Sequence, residues 1–378
     1  MLICNVVGAR PNFMKMAPVV TEFRRRGTPQ QLVHTGQHYD AAMSGVFFEE
    51  LKMPAPDVFL GVGSGTHAQQ TARVLTAFEE HCQTHKPSIV VVAGDVNSTL
   101  ACAMAAAKLG IPVAHVEAGL RSFDRSMPEE LNRILTDHLS DLLFTTEESG
   151  RRNLCREGID TAKIRFAGNC MVDSLRSHVE EAIRRRPWQA FDVKEREYAL
   201  ITLHRPSNVD SEDRLRALVE TAGRIAERMP VLFPLHPRTR ERLSHLNIQP
   251  VDSLRFFEPQ PYLAFLGLMA RARLVLTDSG GIQEETTALR VPCLTLRTNT
   301  ERPSTVELGT NVLVGDDLDR VESLIDQIAR GDWKIGSVPP RWDGHAAQRV
   351  VDGIEAFLAK TDPASVTAAR AGTWRMSA

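Results

Sequence analysis

Two stretches of the 378-residue chain concentrate residues able to do chemistry. In LVLTDSGGIQEE, residues 274–285, an apolar run reads as a buried strand that breaks at Thr277-Asp278-Ser279. Gly280-Gly281 then opens a helix. Paired glycines let a backbone approach a ligand closely, and the free N–H groups of a helix start attract an anion such as phosphate. Glu285 follows Gly281 by four residues, one turn along the same face, where a carboxylate can accept from two ribose hydroxyls. The competing reading is an ordinary turn with Ser279 as helix cap. The second stretch, HVEAGLRS…MPEELNR, runs from His115 to Arg133. There Glu117 closes a strand and Glu129 opens a helix, and Asp95 ends an earlier strand. Crowded, buried carboxyls suit general acid and base work near neutral pH. Glu129 and Arg133, four apart, also fit a plain ion pair on a helix face.

The elements that must carry these residues alternate. Candidate strands span 2–7, 31–35, 88–93, 112–117, 142–145 and 164–167, with helical patterns between them, such as 68–84, 98–109 and 129–138. Charges with Pro187 and Trp188 interrupt the rhythm and place a junction near 171–194. A second series follows, with strands at 198–203, 231–235, 254–257, 273–276 and 292–296. Short apolar strands separated by helices imply parallel sheets covered on both faces. The expectation is an α/β protein of two Rossmann-like, doubly wound domains facing a cleft, residues 1–180 and 181–345. A helix over 346–360 would pack back on the first domain, ahead of a loosely ordered tail, 361–378. Ligands of such sheets gather at the carboxyl ends of strands. Arg10, Lys15, Asp95, Glu117, His204, Arg205, His236 and the Ser-Gly-Gly turn all follow such ends.

A net charge of -2 points to neither nucleic acid nor a membrane surface. No apolar run approaches a membrane span, and the opening MLICNVVGARP enters a strand directly rather than a leader. The six cysteines have no C-x-x-C spacing and suit reduced thiols in the cytoplasm. Gly61–Gly65 imitates a dinucleotide fingerprint but ends at Thr66, which reads as the cap of the next helix. His81-Cys82-x-x-His85 reads as a solvated helix face, and Asp317-Leu318-Asp319 as a helix start. No cofactor and no metal is called for.

VVGARPNFMKMAPV, TGQHYD, AGDVNSTLA, HVEAGLRS, PEELNR, TLHRPSNVD, LTDSGGIQEE and TERP together resemble the motifs of the non-hydrolysing UDP-N-acetylglucosamine 2-epimerases, in order and at the family's spacing, from Leu2 to Phe357. The resemblance implies a glycosyltransferase-B architecture, a UDP-sugar substrate and a homodimer. It implies catalytic roles for Asp95, Glu117, Glu129, Arg133 and His204. Arg10, Lys15, Gln260, Phe265, Ser279, Gly280, Gly281, Glu285 and Arg302 would hold UDP, with Gln260 and Phe265 at the uracil. The opening motif departs from the family's G-T-R-P-E at Ala9 and Asn12. Gln37-His38-Tyr39-Asp40 replaces a Q-H-R-x motif through which some bacterial members bind an activating second substrate molecule. Gln37, Arg205 and His236 are what remains of such contacts.

The implied reaction interconverts UDP-N-acetylglucosamine and UDP-N-acetylmannosamine for cell-surface polysaccharide synthesis. No carbonyl adjoins C2, so leaving-group chemistry is the expected route: loss of UDP, a 2-acetamidoglucal, and re-addition with a proton on the opposite face. Arg10, His204 and the Gly280-Gly281 helix end would stabilise UDP, while Asp95, Glu117 and Glu129 divide the proton transfers. The alternatives are a hydrolysing 2-epimerase, an epimerase of a modified UDP-sugar, a glycosyltransferase on the same fold, and a catalytically silent nucleotide-sugar binder.

Overall fold

Parallel strands with helical crossovers organise the whole chain. The computed structural model describes residues 1–37, 41–245 and 252–360, with the backbone alone at Arg10, 41–44, 46 and 245. The expected tail and positions 38–40 of the Gln37 motif lie outside the described residues. Two compact units form, one of Met1–Ser174 with the chain from Pro340 onward, the other of Leu175–Pro339.

The first unit holds seven parallel strands: β1 (Ile3–Val7), β2 (Gln30–His34), β3 (Val58–Phe59), β4 (Ile89–Ala93), β5 (Val113–Ala118), β6 (Leu142–Thr145) and β7 (Ile164–Phe166). Their spatial order is β3-β2-β1-β4-β5-β6-β7. The sheet is wound outward from β1 in one direction and from β4 in the other, so the crevice between β1 and β4 is its switch point. Every side chain of β1, β4 and β5 is buried, which explains the unbroken apolar run of β4 and the largely apolar make-up of the other two. Helix Asn97–Lys108 is rich in alanine, and its small side chains allow close packing against helices His67–His85 and Pro128–Leu139. Helix Ala346–Lys360 packs on helix Arg10–Arg26, with Arg26 paired to Asp352 at 2.7 Å and Glu355 at 2.8 Å.

The second unit repeats the plan with six parallel strands: β8 (Ala199–Thr202), β9 (Val231–Pro234), β10 (Leu254–Phe257), β11 (Leu274–Thr277), β12 (Cys293–Thr295) and β13 (Asn311–Leu313). Their order is β10-β9-β8-β11-β12-β13, with the switch point between β8 and β11. Its core joins Ile201, Phe233, Leu276 and Leu294 of the sheet to Leu218, Ile225 and Ile325 of covering helices.

Sequence patterning misses β3 and β13. Both are edge strands of two or three residues, too short to show a period. The solvated face expected at His81-Cys82-x-x-His85 is also corrected. His81 and Cys82 are buried at 6% and 1% exposure, and the His81 ring stacks on His85 at 4.2 Å. Cys82 belongs to the core cluster that contains Cys4, Phe78 and Cys102, while His85 stays exposed as expected. Thr66 and Asp317 do cap their helices, accepting from the amides of Gln69 and Arg320. Among the described residues no helix is long and apolar enough to cross a membrane.

Candidate active site

The carboxyl edge of the first sheet gathers the acidic cluster. Gly94-Asp95 leaves β4 and Glu117 leaves β5 on the neighbouring strand. Glu117 sits where the β5–β6 register slips, and its φ of +74° is in the left-handed region. A side chain there strains the backbone by roughly 1–3 kcal/mol and persists only where the surroundings over-determine it. Its carboxylate is buried and ion-paired with the buried Lys15 Nζ. The family resemblance implies a phosphate contact for Lys15, whereas here the structure places it on Glu117. Gly94, at φ +68°, makes room for the pair: a Cβ there would stand 2.8 Å from Lys15 Nζ and 3.3 Å from Glu117 Oε2.

Asp95 receives Arg133 Nη2 at 2.5 Å. Arg133 is only 3% exposed, and its Nη1 pairs with Glu130 Oε2. Arg133 is thus buried rather than part of a plain surface pair. It is a buried fork joining the β4 turn to helix Pro128–Leu139. Glu129 lies half-buried in the first turn of that helix.

Glu130 is a residue that sequence reasoning passes over. Buried at 1% exposure, it accepts from Ser122 N at 3.0 Å, Ser122 Oγ at 3.0 Å and Phe123 N at 2.9 Å, so it braces the loop before the helix. Asn12, a departure from the family motif, accepts at Oδ1 from the amides of Gly8 and Ala9 and donates to Ala93 O at 2.7 Å. It ties the β1 turn to the end of β4. Gln37 is buried, and its Oε1 accepts from Ser98 N at 2.9 Å and Ser98 Oγ at 2.7 Å, capping helix Asn97–Lys108 from another element. Its side chain is thereby committed inside the first unit. The side chain of Arg10 lies outside the described residues.

In the second unit, His204 ends β8 and the Ser-Gly-Gly turn ends β11, on adjacent strands. Asp278, fully buried, joins them. One oxygen takes His204 Nδ1 at 3.0 Å. The carboxylate also accepts from the amides of His204 and Arg205 and from Asn208 Nδ2. Burial alone would raise its pKa, but the His204 ring and these donors outweigh burial and hold it below the usual carboxylate range. The His204 ring is 39% exposed, and among the described residues nothing bonds its Nε2. Asp278 is a second group the sequence reading left unassigned. Its signal is an acid between a buried strand and a glycine turn.

Ser279 makes no side-chain cap to helix Gly280–Leu289, so the ordinary capping role weighed for it is not taken. Gly280 lies against Arg302, with an added Cβ falling 2.6 Å from Arg302 Nη1. Arg302 is 5% exposed and held by Glu284 at 2.9 Å and Glu301 at 3.3 Å. Arg297, unforeseen, pairs with Glu301 at 2.9 Å, and burial pulls its pKa down, with Arg205 and Arg302 adding to the effect. Cationic forks therefore stand beside amides at a helix start, an anion-receiving arrangement.

Glu285 is buried on the same helix, and its Oε1 has no hydrogen-bond partner among the described residues. Burial, reinforced by Glu284, pushes its pKa up to about 8, against the pull of the Tyr262 hydroxyl. A buried oxygen of this kind suits a diol donor. Phe265 is half-buried on helix Tyr262–Ala270, and Gln260 Nε2 donates to Glu258 O at 2.8 Å just before it. His236 follows β9 with its ring 6.0 Å from that of His204. Arg205 is half-buried.

The structure thus groups Lys15, Asp95, Glu117 and Arg133 in the first unit. It groups His204, Arg205 and His236 around β8, and Ser279, Gly280, Gly281, Glu285 and Arg302 around β11, in the second. Among the described residues, no cluster of His, Cys, Asp and Glu could hold a metal ion.

A family model described as UDP-N-acetylglucosamine 2-epimerase matches residues 21–355. The UDP-N-acetylglucosamine 2-epimerase of Methanocaldococcus jannaschii is 43% identical over 362 residues, covering 93% of this chain and 98% of that protein. The UDP-2,3-diacetamido-2,3-dideoxy-D-glucuronate 2-epimerase of Pseudomonas aeruginosa is 44% identical over 319 residues, covering 83% and 88%. The crystal structure of the M. jannaschii enzyme with UDP-GlcNAc and UDP superposes with a TM-score of 0.87 at 42% identity, over 94% of this chain and 100% of that one. A lipopolysaccharide outer core galactosyltransferase shares the fold alone, at TM-score 0.55 and 14% identity over 94% of this chain and 100% of that one. With a family model and strong identity both spanning nearly its full length, the chain belongs to the UDP-N-acetylglucosamine 2-epimerase family.

Proposed function

We propose that this epimerase inverts C2 of UDP-N-acetylglucosamine, giving UDP-N-acetylmannosamine reversibly and without net hydrolysis. The observation that carries the reading is the acidic cluster at the carboxyl edge of the first sheet, with Glu117 buried and held in a left-handed backbone. In the forward direction a carboxylate removes the C2 proton. The C2–H electron pair forms the C1=C2 bond of a 2-acetamidoglucal, while the C1–O bond breaks and its pair leaves on the UDP diphosphate. Re-addition delivers a proton to the other face of C2 and reforms the C1–O bond.

Each unit supplies one half of this chemistry. Asp95, Glu117 and Glu129 divide the proton transfers, with Arg133 orienting Asp95. In the second unit the amides of Gly280 and Gly281 face the diphosphate, with Arg302 beside them. His204 Nε2 donates to the departing oxygen, its ring fixed through Nδ1 by Asp278. Glu285 takes the ribose hydroxyls, and Gln260 and Phe265 the uracil. Arg10 assists at the diphosphate. The route calls for no cofactor and no metal. The same reading makes the protein a cytoplasmic homodimer that supplies polysaccharide synthesis.

A second reading, epimerisation of a UDP-sugar modified at C3 or C6, is favoured by the 44% identity to an epimerase named for a diacetamido uronate. Proton NMR in deuterated water with UDP-N-acetylglucosamine tests both. Accumulation of the manno epimer with deuterium at C2 and little free UDP is expected. Free N-acetylmannosamine with stoichiometric UDP moves the protein to the hydrolysing branch. Turnover confined to the diacetamido substrate selects the second reading.

A further inference from the structure

Glu117 needs a reason to stay at φ +74°, because glutamate rarely adopts that backbone conformation. Lys15 holds only the end of its side chain. The backbone on either side is held by another residue, the fully buried Asp137 of helix Pro128–Leu139. Asp137 Oδ1 bonds His115 Nδ1 at 2.7 Å, two residues before Glu117. Asp137 Oδ2 accepts from the Gly119 amide at 3.1 Å, two residues after it. One carboxylate thus straddles Glu117, gripping the strand at both flanks.

The grip extends to the second acidic turn. His115, also fully buried, directs Nε2 at the Gly94 carbonyl at 2.8 Å, the residue before Asp95. Both ring nitrogens are therefore engaged, one by a carboxylate oxygen and one by a backbone carbonyl. Arg121 balances the charge from the other side, with Nη2 2.7 Å from Asp137 Oδ2 and its guanidinium forked onto Glu157. Burial would raise the Asp137 pKa, but His115 and Arg121 outweigh it and hold it below the usual carboxylate range. A buried carboxylate held at once by an imidazole, a guanidinium and a backbone amide is a rigid tether.

The structure assigns to Asp137, acting with His115, the positioning of Glu117 and of the Gly94-Asp95 turn. Neither touches the reacting atoms; they fix the backbone from which the proton carriers project. The assignment rests on the roles proposed above for Asp95 and Glu117. Displacement of a catalytic group by about 1 Å can cost about 100-fold in rate, so a loosened tether should appear in turnover.

The test uses Asp137→Asn, His115→Gln and His115→Ala in the full-length chain, each assayed well below its own unfolding midpoint. Asp137→Asn and His115→Ala should lower kcat about 10- to 100-fold, with KM and UDP affinity by calorimetry held within about twofold. His115→Gln, which keeps a donor for Gly94 O, should recover a good part of that loss. Amide hydrogen exchange in Asp137→Asn and His115→Ala should accelerate at least about tenfold in peptides covering 94–97 and 117–120, and little elsewhere in the first unit. Unchanged exchange in both turns would overturn the assignment. So would acceleration spread evenly over the unit, or kcat, KM and UDP affinity failing together. If the parent does not epimerise the substrate, the proposed function fails, while localised exchange still supports the tether.

Discussion

Each of the two units holds a histidine–aspartate pair, and the pairs are built differently. His115 and Asp137 are both at 0% exposure, with the ring's two nitrogens facing a carboxylate and a carbonyl. His204 shares the bond to a fully buried aspartate, Asp278, yet its ring stays 39% exposed and, among the described residues, is bonded through Nδ1 alone. A ring with both nitrogens occupied inside a core cannot exchange a proton without breaking its own lattice. A ring anchored at one nitrogen keeps the other for a ligand. The same two side chains thus suit the tether proposed in one unit and the donor proposed in the other. The cause is place: His115 lies within β5, whereas His204 lies just beyond β8.

The contrast can be pressed hardest at the groups each pair serves. Asp95→Asn and Glu117→Gln should each cut turnover at least ~100-fold while UDP still binds, because the proposed proton carriers lie in one unit and the proposed UDP contacts in the other. Steady-state kinetics with UDP calorimetry checks this, and near-normal turnover in both variants removes the assignment. Next in size, His204→Gln should cost about 100-fold and Asp278→Asn about 10- to 100-fold, with the double variant no worse than His204→Gln alone. Additive losses would mean that Asp278 acts apart from His204.

The remaining effect concerns stability and pH rather than turnover. Glu285 has a folded-state pKa of about 8, above an unfolded value near about 4.3. Below the unfolded value both states hold the proton and the contribution to stability is complete. As pH rises toward about 8 the unfolded chain ionises first, so the native state loses stability. Above that both states are ionised and the loss levels off. Glu285→Gln should therefore gain on the parent in urea midpoint from about pH 5 to about pH 8, then hold a constant lead. A lead that does not change with pH would show that the carboxyl is not buried neutral.

Much of the fold is readable from pattern. Strands with every side chain buried, such as Ile89–Ala93, leave apolar runs that survive without any alignment. The short edges Val58–Phe59 and Asn311–Leu313 leave none. The polar residues after strand ends are equally visible, because doubly wound sheets put ligands there. Their supports are not. Glu130 stands next to Glu129 and looks equivalent, but a helix turns one toward the Ser122 loop and leaves the other half-buried. Asp137 is 20 residues beyond Glu117 in sequence and is joined to it only by packing. Gln37 keeps a family motif position, yet its oxygen caps a helix through Ser98.

The sequence by itself determined the alternation of strand and helix, the glycine turn after β11, and the chemical types of the residues at the strand ends. These follow from local rules: the period of burial, the backbone freedom of glycine, and the family's motif spacing. Only the tertiary structure decided that Lys15 answers to Glu117, that Arg133 joins Asp95 to Glu130, and that two aspartates far along the chain hold His115 and His204. A buried charge must find its partner in space, and the strand order that brings partners together is set by how the whole sheet winds.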